Sequence, residues 1–192
     1  MNERLTKADW LKHGLRALAR NGPNALKVES LAAQLNVSRG SFYWHFADTT
    51  AFRAQLLQTW QEVSTDQVIR DLDARTGDPE RLKRLLRSAL KGPRMLDRAI
   101  RSWAAEDEEV AKIVASVDAR RVTRIAGLLT EAGVDAERAS SRANFLYWAY
   151  LGQAVVMEPR HSSIPEWALD EISDLFETRL PLRPGAHSTA SR

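Results

Sequence analysis

The 192-residue chain contains no cysteine. That excludes a disulfide framework, thiol catalysis and a zinc site built from thiolates. Glycine and proline are sparse, at 9 and 7 residues, so few positions resist helix formation. No run approaches the ~18 apolar residues that suggest a membrane span. The start, Met1-Asn2-Glu3-Arg4, has no apolar signal region after it, unlike a secretory leader. His13, His45, His161 and His187 are scattered without metal-ligand spacing. No phosphate-cradling glycine loop or nucleophile elbow is present. The acidic run Glu106 to Glu109 could suggest cation binding, but a helix start or a solvated run is the simpler reading. The expectation is a soluble cytoplasmic protein that is not an enzyme, with no catalytic residue, no metal and no cofactor.

What is present is unevenly placed. Residues 1–50 hold seven Lys or Arg and four acids, a net +3. The remaining 21 basic and 21 acidic residues cancel. The excess positive charge of the chain therefore sits at its N-terminal end, where a polyanion partner is reasonable.

Within that end lies the most informative stretch, residues 26–46. It reads as two short helices joined by a tight turn. Leu31, Ala32 and Leu35 share one face of the first. Asn36 follows at the exit and tolerates the left-handed conformation of a C-terminal cap. Val37 turns back into the core, and Ser38 can cap the second helix. This is the pattern of a helix-turn-helix, whose second helix enters the DNA major groove. Arg39 and Ser41 lie at the end that meets base edges. Gly40 costs roughly 1 kcal/mol of helix stability against Ala, a cost that close approach of backbone to DNA would justify. Phe42 and Phe46 face inward, leaving Tyr43 and His45 to present polar tips to phosphates. A structural helical hairpin is the competing reading, but turn chemistry and charge placement favour DNA.

Apolar periodicity continues as helix to the end. Thr6 and Asp9 form a capping box for a first helix, which Asn21-Gly22-Pro23-Asn24 ends. A long helix from Asp48 reaches about residue 74. Another follows Asp78-Pro79 and runs to about Leu90, with Asp78 as cap. Further helices carry Met95 to Trp103, Val110 to Leu129, about 136–158, and about 165–179. The predicted organisation is all-α: a helix-turn-helix DNA-binding domain at 1–47, a helical regulatory domain at 48–180 and a flexible tail at 181–192.

The words Leu31-Ala32, Leu35-Asn36-Val37-Ser38-Arg39-Gly40-Ser41 and Phe42-Tyr43-Trp44-His45-Phe46 resemble the DNA-binding region of the TetR family of transcriptional regulators. A looser resemblance to the family's regulatory half runs from Arg98 to Gly133 and through Leu146 to Gly152. The resemblance implies a three-helix DNA-binding domain followed by a ligand-sensing and dimerisation domain. It implies phosphate contacts from Tyr43 and His45, with Arg39, Gly40 and Ser41 against the groove. Many relatives carry Lys at the position matching Thr49. Here Thr49 offers a hydroxyl and the helix start its N–H groups, and Lys27 can compensate. The DNA-binding set is therefore Lys27, Ser38, Arg39, Gly40, Ser41, Tyr43, His45 and Thr49.

Such proteins commonly sense small molecules among their distal helices. Trp60, Trp103, Tyr147 and Gln153 are the candidate pocket residues, although core packing would explain each aromatic alone. The resemblance also implies a four-helix interface between two subunits. The small-residue stripe Ala139, Ala143, Leu146, Tyr150 and Ala154, with Leu128, is the candidate dimer face, its alternative being that it faces its own core. The expected partners are an operator in double-stranded DNA, a second copy of the chain and a small-molecule effector, with no membrane. The expected function is that of a repressor released from DNA by its ligand. A sensor that has lost DNA binding, and a helical enzyme with an unrecognised site, are the rivals from other classes.

Overall fold

The structure is a computed structural model that describes residues 5–91, 94–156 and 163–181. Every regular element among them is helical. None of these helices is long and apolar enough to cross a membrane.

Helix α1 (Lys7–Asn21) opens with the anticipated capping box, in which Thr6 and Asp9 satisfy each other's backbone N–H groups. It closes at Gly22, whose φ of 70° lies in the left-handed region. Helix α2 (Val28–Gln34) and helix α3 (Arg39–Tyr43) follow. Asn36 takes the left-handed conformation, φ 53°. The Val37 N–H then bonds back to the Ala32 carbonyl at 3.0 Å and the Asn36 N–H to Ala33 at 3.1 Å. Those two bonds form a Schellman closure that uses the last carbonyls of α2. Ser38 occupies the N-cap position of α3, but its side chain makes no capping bond. The capping part of the Ser38 expectation is thus corrected.

Helix α4 (Thr49–Gln61) is capped by Asp48, whose carboxylate accepts from Ala51 N–H at 2.7 Å. The long helix expected through residue 74 is interrupted. A π-helical turn, Glu62–Asp66, separates α4 from α5 (Gln67–Asp73). Helix α6 (Arg81–Leu90) starts two residues later than Pro79 suggested, because Asp78 caps the preceding turn at Glu80 instead. Helices α7 (Met95–Ala104), α8 (Glu108–Glu131), α9 (Ala136–Leu151) and α10 (Glu166–Glu177) complete the chain. Asp107 caps α8 by accepting from Glu109 and Val110, so the acidic run is a helix start. A second π-helical turn, Gly152–Val156, extends α9. His161, His187 and most of the tail expected at 181–192 lie outside the described residues.

Two apolar clusters organise the packing. The first gathers Trp10, Leu18, Leu31 and Phe42 with Phe52, Leu56 and Trp60 of α4, Ile100 and Trp103 of α7, and Val110 to Val117 of α8. Phe42 lies at its centre, 5.2–5.4 Å from Trp10 and Phe52 in edge-to-face geometry and 5.1 Å from Phe46. Such aromatic pairs add directional attraction to area burial. They fix the short α3, which could not hold itself together at five residues. α1 lies directly against α7, so the core crosses the anticipated boundary at residue 47. The second cluster joins Leu72, Leu82 and Leu86 to Ile125, Leu128 and Leu129 of α8 and Ala139, Ala143, Leu146 and Tyr147 of α9.

Candidate nucleic-acid interface and ligand cavity

Most of the residues named for DNA contact are open to solvent. Lys27, Ser38, Arg39, Gly40, Tyr43 and Thr49 are exposed, and Ser41 is half-buried. Tyr43 keeps its phenol outside because Phe42 takes the inward position. Arg39 is held near Glu29, Nη1 to Oε1 3.2 Å, with both side chains about two-thirds exposed. Pairs this open contribute little stability. Arg39 is therefore oriented without being locked, and a phosphate or base edge can replace Glu29. Asp48, adjacent to Thr49, spends one oxygen on capping α4.

Gly40 is in the first turn of α3 with an ordinary negative φ. Among the described residues, a Cβ built there would meet only Ser38 Oγ, at 3.5 Å, and none of them requires glycine at this position. Gly14 is different, since a Cβ there would come within 2.7 Å of Phe52 and 3.2 Å of Leu56. That glycine lets α1 and α4 approach each other.

His45 departs from the simple expectation. Its Nε2 bonds to the Leu5 carbonyl at 2.9 Å. A carbonyl only accepts, so Nε2 carries the proton, and a neutral ring is left with Nδ1 as an acceptor. In that state His45 offers phosphate no N–H. It ties the segment before α1 to the end of α3 instead.

A cavity of about 640 Å³ is bounded by the end of α4, its π-turn, α5, α6, α7, α8 and α9. Trp60 and Tyr147 line it as expected. Trp103 does not: it is buried in the first cluster, with Nε1 3.3 Å from Asp107. Gln153 is not among the described lining residues either, and its buried Oε1 has no partner among the described residues.

Two Arg–Asp–Tyr constellations lie at the cavity, one built from its lining residues Asp97, Arg121 and Tyr150, the other reaching it only through Tyr147. Asp97 is buried; its Oδ1 accepts from Trp60 Nε1 at 2.7 Å, and its Oδ2 accepts from the Tyr150 hydroxyl and faces Arg121. Arg121 also holds the π-turn, donating from Nε to Thr65 Oγ1 at 2.9 Å and from Nη2 to Ser64. Alongside, Arg101 grips Asp118 with two bonds of 3.0 and 2.6 Å, and the Tyr147 hydroxyl donates to Asp118. Burial alone would raise the Asp97 pKa; Arg121, Tyr150 and Trp60 outweigh it and hold the carboxyl below its ordinary range. Burial pushes the Tyr147 phenol up to about 12, helped by Asp118. Tyr150 is raised in the same way by burial and Asp97.

Trp60 belongs to both the first cluster and the cavity wall. Asp97 and Trp103 sit on the same helix, α7, one facing the cavity and the other the first cluster. The cavity and the cluster that holds α3 therefore share Trp60 and α7. Sequence reasoning missed Asp97, Arg121 and the π-turn. A faint signal existed: Asp97, three residues before Ile100, places a charge on an otherwise apolar stripe.

The expected dimer stripe is corrected. Ala139 and Ala143 have no exposed surface, and Leu128 and Leu146 are buried in the second cluster of the same chain. Tyr150 is turned to Asp97 and the cavity. The Ala154 side chain lies outside the described residues. The small residues allow α8 and α9 to pack closely within one chain. The opposite face of α9 carries Phe145 and Trp148, 58% and 66% exposed. Trp167 and Leu175 are similarly open on α10. Phe145 stacks on Phe176 at 5.8 Å, joining the two helices.

Residues 11–56 match the model of bacterial regulatory proteins of the tetR family. The fold is similar to that of a crystallised TetR/AcrR-family transcriptional regulator, with 19% identity, TM-score 0.74, and coverage of 88% of this chain and 96% of that one. A TetR-family regulator from Rhodococcus sp. gives 19% identity, TM-score 0.64 and coverage of 88% and 97%. A transcriptional regulator from Saccharomonospora viridis in complex with choline gives 17%, 0.64, and 87% and 91%. No curated protein matches this sequence.

Proposed function

From the match of residues 11–56 to the tetR family of bacterial regulatory proteins, we propose that this chain is a homodimeric repressor of that family, released from its operator by a small molecule. DNA-binding transcription regulation is the shared activity; repression and ligand release are the proposal. The observation that carries it is the cavity joined to the DNA-facing surface by α4 and α7. Each subunit presents residues 38–45 to one major groove, at half-sites roughly one helical turn apart or slightly more. Arg39 exchanges Glu29 for DNA. Tyr43, Ser38, Ser41, Lys27 and Thr49 position the backbone, and Gly40 permits close approach.

A ligand shifts this equilibrium only through unequal affinity for the DNA-competent and incompetent arrangements. Arg121 is the natural point of action, because it grips Asp97 on α7 and Ser64 and Thr65 in the π-turn. π-turns often mark functional positions within helices. A ligand that shifts this cluster without breaking the Arg121–Asp97 pair moves both helices that reach the DNA-binding region. The complex of the Saccharomonospora viridis regulator with choline supports a small-molecule effector here without identifying it.

The dimer forms through the outer faces of α9 and α10, where Phe145, Trp148, Trp167 and Leu175 leave apolar surface uncovered. Exposed apolar groups gathered in this way commonly mark protein interfaces. DNase protection with DNA flanking the chain's own gene, with and without Arg39→Ala, tests the proposal. A two-fold symmetric protected site that Arg39→Ala weakens supports it. A second reading, a sensor without DNA binding, is favoured by Thr49 in place of Lys and by the bond from His45 to Leu5. No protection even at low salt would establish that reading instead.

A further inference from the structure

On the reading that the cavity is the effector site, we infer that the effector is an amphipathic organic anion, with a carboxylate-like head on an apolar body. The inference follows from the charges facing the cavity. α4, its π-turn, α5 and α6 line it with hydroxyl, indole and aliphatic groups but no charge. The charged groups among the described lining residues are Arg94 and Asp97 from the α7 region and Arg121 and Arg124 from α8. Tyr147 and Tyr150 of α9 are the remaining titratable groups.

Asp97 is fully engaged by Trp60, Tyr150 and Arg121. Arg124 is neutralised outside the cavity by Asp73 at 2.8 Å and Glu131 at 3.0 Å. Arg94 is different. Its Nε donates to the Ala89 carbonyl at 3.2 Å and its Nη2 to the Ser88 carbonyl. No carboxylate among the described residues pairs with it. After these pairings cancel, the half-buried cavity wall retains one positive charge, on Arg94. The Arg124 Nε–H is likewise a buried donor with no acceptor among the described residues.

An anionic head supplies the counter-charge that Arg94 lacks. A cation would meet the Arg94 charge, and it could reach Asp97 only by displacing Arg121. A buried guanidinium stripped of its carboxylate is strongly disfavoured. Val68, Ile69, Leu72, Leu86 and Ile125 form the wall for the apolar body. The volume of about 640 Å³ sits within the usual range for ligand sites, roughly 300–1,000 Å³.

The test is isothermal titration of the full chain with octanoate, octanol and octyltrimethylammonium, which share one tail and differ in head charge. Arg94→Gln is titrated alongside. Octanoate is expected to bind about tenfold or more tightly than octanol, as a charge-assisted hydrogen bond provides. Arg94→Gln should bring octanoate down to the level of octanol with Tm unchanged, which shows an intact fold. Octyltrimethylammonium binding as tightly as octanoate, or no loss in Arg94→Gln, would overturn the charge assignment while the cavity reading stands. Binding of none of the three would overturn both.

Discussion

Gly40→Ala separates what the fold needs from what DNA needs. A methyl group at this position meets Ser38 Oγ at 3.5 Å, an ordinary contact, and the backbone φ is one that alanine adopts freely. Replacing glycine inside a helix with alanine gains about 0.5–1 kcal/mol from propensity and a less disordered unfolded chain. In a chain of this length, a gain of 1 kcal/mol raises Tm by roughly 2–4 °C. The same methyl projects from the surface assigned to the groove. If the backbone of α3 approaches DNA closely, the methyl forces a retreat that weakens several phosphate contacts together. A loss of about 1.4 kcal/mol is tenfold in Kd. The variant is thus expected to be more thermostable and at least tenfold weaker on its operator. Calorimetry and fluorescence anisotropy with labelled operator read the two effects separately. A more stable variant that binds operator within threefold of the parent would refute the close-approach argument. A less stable one would refute the packing argument.

Gly14→Ala should do the opposite. Its Cβ would collide with Phe52 at 2.7 Å, and overpacking of this kind costs about 1–3 kcal/mol, seen as a lower urea midpoint. Tyr43→Phe keeps the ring and removes the exposed hydroxyl; operator affinity should fall several-fold in anisotropy titrations with no change in Tm, the usual scale for one lost hydrogen bond. Asp97→Ala leaves Arg121 buried without its carboxylate and should cost about 3–5 kcal/mol in denaturant unfolding. Because the Asp97 pKa is lowered by folding, its stabilisation is complete above the ordinary Asp range near pH 4 and disappears as pH falls through the lowered value. Acid unfolding of the parent should accordingly begin below roughly pH 4, and Asp97→Asn should flatten that part of the profile. Trp148→Glu should convert the dimer to monomers in sedimentation analysis while leaving the far-ultraviolet helical signal intact.

The N-terminal third was legible because its signals are local. The capping box of Thr6 and Asp9, the left-handed Asn36 and the inward pair Phe42 and Phe46 each depend on neighbours a few residues away, and each appears as read. The distal half was read well for helices but poorly for faces. An alanine stripe has the same periodicity whether it meets another helix of its own chain or a partner subunit. Ala139 and Ala143 proved to serve the internal contact between α8 and α9. Phe145 and Trp148 occupy the opposite side of the same helix. The π-turns at Glu62 and Gly152 leave no trace in helical periodicity, because one residue of slippage hides within the usual scatter. Arg121 and Asp97 are 24 residues apart, so only the folded chain shows them as partners. The bond from His45 to the Leu5 carbonyl spans 40 residues, and no local pattern announces it.

The central claim is that the surface around α3 reads DNA and that the chain does so as a symmetric pair. A protection experiment on DNA flanking its own gene, repeated across a salt series, tests this most directly. The account predicts a two-fold symmetric footprint with half-sites about one helical turn apart, and an affinity that falls steeply as salt rises, as release of counterions from phosphates requires. No footprint at the lowest salt, or protection without symmetry, would contradict it.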